Sequence, residues 1–471
     1  MARSRGGAGM LGVLAIAAAT TTAGAGDHQP RELPANAVQP PGASFVRDIT
    51  REQKALVVKD MLRATVAESL RRPLRSAVFG AGRLAERAGV LAAEAVPIAA
   101  IPGRQSPEAG GPCTPARITP LCDSGPAYRA LMDLIASARS RVDLMIFGWD
   151  DDDAGRPVAA ALIARARAGV AVRLMVDRGG HVSGEGNARV GLGLPTFLDA
   201  LKAEPNVRVV ETPDAFARFD HRKVAVVDDR VVWTGGMTLT GPALFRWHNF
   251  AFLAEGAIVP QYAAIFADRW REVGGEPAPG PAPPCPPADS DSAAIAPPNA
   301  VVRMVRTDYG HRSLKEAVYG AVASARHHIY IENPYFSDEI LVKKLVAARS
   351  RGVDVRAVLT IRGDVRVMNQ LSTLTANHLF RAGARVYLYP AMTHVKAMSV
   401  DGDFAYIGTG NFDDLSLRNN REVSLTVRGP GLIREIDEDL FLRDMAASEE
   451  LRALLPPPGR PLLLEAAANL Y

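Results

Sequence analysis

Cysteine is scarce here, with three residues in 471. Cys113 and Cys122 lie close enough in sequence for a small disulfide loop, which leaves Cys285 over in a Pro-rich stretch. Their spacing does not make a metal site. Nine scattered histidines without a ligand-spaced carboxylate cluster make metal-dependent hydrolysis a poor competitor, and neither a metal nor a cofactor is expected. An excess of either charge is also missing. The 55 Lys and Arg nearly balance the 51 Asp and Glu, for a net charge of +4, so no nucleic-acid partner is expected. Beyond the N-terminus no apolar run is long enough to cross a bilayer as a helix.

At the N-terminus, Arg3 and Arg5 precede the apolar run Met10 to Ile16, and Ala23-Gly24-Ala25 offers a small-residue cleavage site. That layout reads as an export signal over 1–25, with a periplasmic or secreted location. Thr20, Thr21 and Thr22 dilute the run as a spanning helix, and an uncleaved anchor is the alternative. Residues 26–112 read as a helical extension. Thr50-Arg51-Glu52-Gln53 has the form of a capping box, and Val58, Leu62, Val66 and Leu70 follow on one helical face. Its basic balance suits either a helix on anionic lipid or one docked on the body with its polar face solvated.

From 113 onward the chain repeats itself. His221, Lys223 and Asp228 are matched by His394, Lys396 and Asp401 at identical spacing. Six residues separate each Asp from a small-residue turn, Gly235-Gly236-Met237-Thr238 and Gly408-Thr409-Gly410-Asn411. In a strand, residues i and i+2 share a face, so each His points with its Lys, a nucleophile or proton carrier beside a fixed cation. Val224, Val226 and Val227 suit a buried strand, and the glycine turns allow close approach to an anion. Two copies supply two imidazoles and two ammonium groups around one phosphate.

The surroundings repeat too. In the first half (113–272), an apolar strand at Leu144 to Phe147 leads to Asp150 to Asp153, a helix ending at Gly169 and a strand from Val172 to Val176. In the second (301–471), Ile329 to Ile331, the loop Asn333 to Asp338, a helix ending at Gly352 and Val355 to Leu359 follow the same plan. This order implies an α/β fold with parallel or mixed sheets covered by helices. Residues 273–300 read as a Pro-rich linker. The interval from Gly169 to His221 is ten residues longer than that from Gly352 to His394. The extra length is placed in the glycine-rich Gly179 to Gly193, which holds His181 and reads as a lid or substrate-binding loop.

The paired motifs resemble those of the phospholipase D superfamily, over about residues 113–450. Chain order is most similar to bacterial cardiolipin synthases and related phosphatidyltransferases, through the Trp247 stretch, Asn333 to Phe336 and a C-terminal helix with Phe441. The resemblance implies two homologous α/β/α repeats packed face to face about a pseudo-twofold axis, with the active site at their interface. It implies that one His attacks phosphorus while the other protonates the leaving alcohol, and that water or another alcohol resolves the phosphohistidine. Lys223 and Lys396 would stabilise the non-bridging oxygens, with Asn411 donating to them. Thr238 replaces that Asn in the first half, and Gly236 and Gly410 are expected at the phosphate with these turns. Asp228 and Asp401 complete the catalytic motif, in a largely structural role.

Counting 28 residues past each His gives Asn249 and Glu422. Glu422 fits the family's imidazole-orienting carboxylate, whereas Asn249 departs from it. If each partner comes from the opposite half, the favoured arrangement, Glu422 serves His221 and His221 is the nucleophile. If each half serves itself, the roles reverse. Trp149, Trp247, Tyr335 and Phe336 either line an acyl-accepting entrance or belong to the core. The resemblance implies a glycerophospholipid substrate met at a membrane surface by a peripheral enzyme, expected to be a monomer. A signal-like segment in place of spanning helices favours an exported phospholipase or transphosphatidylase. A nuclease of the superfamily and a non-catalytic lipid- or phosphate-binding relative are the alternatives.

Overall fold

The computed structural model describes residues 106–181, 197–212, 218–275, 297–308 and 310–458. The signal-like segment, the amphipathic stretch of 50–70, Cys285, most of the linker and most of the glycine-rich loop lie outside the described residues.

The first half contributes strands β1 (Thr114–Leu121), β2 (Arg141–Ile146), β3 (Ala171–Asp177), β4 (Val207–Thr212), β5 (Val224–Val227), β6 (Val231–Gly235), β7 (Trp247–His248) and β8 (Ala251–Gly256). The second contributes β9 (Ala300–Thr307), β10 (His328–Asn333), β11 (Asp354–Leu359), β12 (Arg385–Leu388), β13 (Met392–Thr393), β14 (Ala397–Val400), β15 (Phe404–Gly408), β16 (Glu422–Arg428) and β17 (Glu449–Glu450). All but β7 and β13 form one mixed sheet in the order β17-β12-β11-β10-β14-β15-β16-β9-β1-β8-β6-β5-β2-β3-β4. Read outward from the antiparallel β1–β9 pair, the two halves follow the same order, with β17 added at one edge. The halves are therefore joined edge to edge as well as through a shared core.

Parallel neighbours need a crossover, and helices α1 (Gly155–Arg167) and α2 (Glu339–Ser350) supply it between β2 and β3 and between β10 and β11. Each ends near a glycine in the left-handed region, Gly169 at φ 93° and Gly352 at φ 94°. Outer cores pack these helices on the sheet, around Leu144, Leu162 and Val172 in one half and Ile331, Leu345 and Val355 in the other. The inner core is common to both halves. Val226, Phe252 and Phe266 pack there with Ala405, Ile407, Leu425 and Ile433. That common layer brings the N-terminal ends of β5 and β14, and so the two motifs, together.

One expectation is corrected and one alternative is decided. Cys113 and Cys122 are free thiols. They flank β1 at its two ends, and nine residues of extended chain separate them by about 30 Å, far beyond disulfide reach. For Trp149 and Phe336 the core alternative holds, since both are wholly buried.

Candidate active site

Two short cross-half pairings build the site. Asp220 bridges Arg421 in parallel, with the Arg421 N–H donating to Phe219 O at 2.8 Å and the His221 N–H to Arg421 O at 3.0 Å. In the twin arrangement β7 and β13 pair Thr393 with His248, and the His394 N–H donates to His248 O at 2.6 Å. The next residue on each side then falls beside its counterpart. His221 Nδ1 lies 2.8 Å from Glu422 Oε1, and His394 Nδ1 lies 3.0 Å from Asn249 Oδ1. Each orienting partner thus comes from the opposite half.

The surroundings fix the tautomers. The Asn249 amide donates to Ser124 Oγ at 3.0 Å and Ala243 O at 2.9 Å, which leaves its oxygen to accept from imidazole. Glu422 Oε1 accepts from Ser416 Oγ at 2.7 Å, and its Oε2 from Thr409 Oγ1 at 2.6 Å. Both rings therefore carry the proton on Nδ1 and keep Nε2 for chemistry. Lys223 donates to His221 O at 2.6 Å and Lys396 to His394 O at 2.9 Å, and both lysines are fully buried. Phe147 lies against His221, ring centroids 4.7 Å apart, and beneath the Lys223 ammonium at 4.8 Å. Trp247 packs on His394 at 5.0 Å, with Tyr335 edge-on at 6.5 Å.

Burial dominates the electrostatics of the site. Burial first, then the two lysines, hold both imidazoles well below their usual pKa. Burial lowers Lys223 to about 7 against the pull of Glu422, and burial with Lys223 drives Lys396 well down. Burial likewise raises Glu422 to about 7, with Lys223 opposing. Glu422 acts on both lysines, with Asp177 and Asp220 acting further on Lys223 and Asp364 and Asp413 on Lys396.

The remaining expected residues divide. Asp228 and Asp401, grouped with the catalytic set, sit past the far ends of β5 and β14 from the imidazoles. Asp228 accepts the backbone N–H groups of Arg139, Ser140 and Arg141 at 2.7–2.9 Å. Asp401 does the same for Arg326, His327 and His328 at 2.8–2.9 Å. They brace the strands at the ends away from the imidazoles. A Cβ on Gly236 would stand 2.5 Å from His394 O, so this glycine permits the cross-half approach. A Cβ on Gly410 would instead meet Leu314 and Tyr406 at 2.7 Å. Asn411 is buried with an unpartnered Oδ1, while the Thr238 hydroxyl lies 3.3 Å from that of Thr240.

Sequence reading missed Thr409 and Ser416 as partners of Glu422, although Thr409 stands inside the conspicuous glycine turn. It missed the buried Asp220, whose carboxylate takes two 2.6 Å bonds from Arg222 and one of 3.0 Å from Arg269. Among the described residues one set of side chains could hold a metal, His248, Glu332 and Asp444, beside the backbone that carries His394.

The family described as "Cardiolipin synthase, PLD-like domain" matches residues 131–270 and 319–444, one segment in each half. The chain belongs to that family. Cardiolipin synthase A of Edwardsiella ictaluri is 28% identical over 357 residues, 70% of this chain and 68% of that protein. Cardiolipin synthase A of Escherichia fergusonii is 27% identical over 377 residues, 74% and 73% of the two chains. The phosphatidylserine synthase of Haemophilus influenzae has a similar fold, with TM-score 0.57 at 14% identity over 77% of this chain and 95% of that one.

Proposed function

We propose that the protein is a phospholipid phosphatidyltransferase of the phospholipase D type, working through a phosphohistidine. The crossed pairing of the imidazoles carries the reading, one backed by a carboxylate and the other by an amide. His221 Nε2 attacks phosphorus, and Glu422 at Nδ1 stabilises the positive charge that grows on the ring. Lys223 and Lys396 hold the non-bridging oxygens. The bound phosphodiester offsets the two ammonium charges, which lets His394 take up a proton and pass it to the departing alcohol oxygen as the P–O bond breaks. An entering alcohol or water then gives its proton to His394 and attacks phosphorus, and the P–N bond to His221 breaks.

One chain supplies both motifs, which supports a monomer. The signal-like N-terminus and the apolar diacyl substrate support an exported, peripheral enzyme working on a membrane surface. The test is mass spectrometry of products from phosphatidylglycerol with and without added alcohol, run beside a DNA-cleavage assay. Phosphatidyl transfer to the alcohol is expected, with DNA intact. Cleaved DNA and no lipid product would overturn the reading.

A further inference from the structure

Next to the site, three buried side chains from both halves converge on one point that the proposed reaction leaves unused. His248 ends β7, Glu332 lies in β10 and Asp444 lies in the helical turn Arg443–Ala447. They are 5%, 0% and 1% exposed. One ligand atom from each lies within 4.8 Å of the others. His248 Nε2 is 2.8 Å from Asp444 Oδ2 and 4.0 Å from Glu332 Oε1. Such separations bracket those around an ion with bonds of about 2.0–2.2 Å to nitrogen and oxygen.

Two further observations point to a ligand. Glu332 Oε2 is buried with no N–H or hydroxyl donor, and the other group its carboxyl meets there is the carboxyl of Asp444. The other ring nitrogen, His248 Nδ1, faces Asp123 Oδ1 at 3.4 Å. A metal-bound imidazole commonly hands its outer N–H to a carboxylate in this way. We propose that His248, Glu332 and Asp444 bind one divalent transition-metal ion, Zn2+ or Mn2+ in class, which pins the two halves together beside His394.

Three carboxyl groups, those of Asp123, Asp444 and Glu332, face one imidazole. The groups facing the ring are these three acids, Tyr389 stacked at 5.1 Å and Arg443, whose Nη2 lies 3.4 Å from Nε2. Arg443 is 44% exposed and also donates to Asp444 Oδ1 and to Cys122 O, each at 3.0 Å. The ion would bridge His248 Nε2 and Asp444 Oδ2 and add a partner for Glu332 Oε2. Its second effect is positional, because the His248 carbonyl accepts the His394 N–H and Glu332 accepts the hydroxyl of Thr393.

The experiment strips the full chain with chelator and titrates Zn2+ by calorimetry and Mn2+ by electron spin resonance. One ion per chain is expected. Affinity should fall more than about tenfold in Glu332→Gln and Asp444→Asn, and about tenfold in Asp123→Asn, which releases only the outer nitrogen. No stoichiometric ion, or equal affinity in all three variants, overturns the site. Should the ligand variants fail to fold, the Mn2+-loaded parent decides. Spin-echo modulation from one imidazole nitrogen supports the site, and its absence overturns it. The readout is the ion itself, so the result does not depend on the catalytic reading.

Discussion

At the scale of single residues, the two imidazoles differ chiefly in what holds Nδ1. A carboxylate at Nδ1 stabilises the cation that forms on attack, whereas an amide orients the ring and leaves a stronger acid. His221 is thus suited to nucleophilic attack and His394 to proton transfer. With an activated phosphodiester whose leaving group needs no protonation, His394→Ala should accumulate label on His221, and His221→Ala should accumulate none. Label on His394 in the His221→Ala protein would reverse the roles. The same pair sets the pH response. The free enzyme needs Lys223 charged and His394 protonated, and Lys223 is lowered to about 7 while His394 lies well below the usual imidazole range, so kcat/KM should fall as pH rises above about 7. Bound phosphate keeps the lysine charged, so the alkaline limb of kcat should lie at higher pH than that of kcat/KM. Profiles on a soluble short-chain substrate check this, and coincident alkaline limbs would contradict it.

At the scale of elements, the motif aspartates join strands. Asp228 follows β5 in the left-handed region at φ 53° and gathers the chain entering β2, which pairs with β5. Burial raises its pKa, but the N–H groups of Arg141, Ser140 and Arg139 outweigh that and lower it. Its stabilisation is therefore present above the ordinary carboxylate range and lost as pH falls through the lowered value. Asn tolerates the backbone angle, so Asp228→Asn removes one acceptor oxygen without added strain. A loss of about 1–2 kcal/mol is expected, allowing for solvent at the half-buried carboxylate. Turnover per folded molecule should persist, and urea unfolding with activity normalised to the folded fraction measures both. The hydrophobic strands around Leu144, Val172, Ile329 and Val355 were legible because apolar runs bounded by turns announce them. By contrast, β1 was hidden by Pro115 and Pro120, which is why a disulfide across it looked feasible. The pairings of Asp220 with Arg421 and Thr393 with His248 span one or two residues and leave no periodic trace. Only the count from each His to Asn249 and Glu422 hinted at them.

At the scale of the whole molecule, the halves are unequal copies that each complete the other. β1 meets β9 with Thr114 opposite Val302, Pro115 opposite Val301 and Ala116 opposite Ala300. Cutting the linker bares both strands as edges that can pair again. A fragment of 106–275 holds one motif imidazole and one motif lysine, and as a monomer it should be inactive. If it dimerises through β1 in the same geometry, each His221 receives the partner's Asn249 instead of a carboxylate, so two motifs are present without an activated nucleophile. A fragment of 297–458 dimerised through β9 gives each His394 the partner subunit's Glu422, and residual turnover is expected there. Mixing the two fragments restores the unequal pair and should give the highest rate. Size-exclusion with light scattering assigns each species, and turnover of a soluble phosphodiester ranks them. Activity from monomeric 106–275 would sink the shared cleft. Equal rates from the two self-dimers would keep the cleft but show that Glu422 and Asn249 are interchangeable, removing the basis for choosing His221 as the nucleophile.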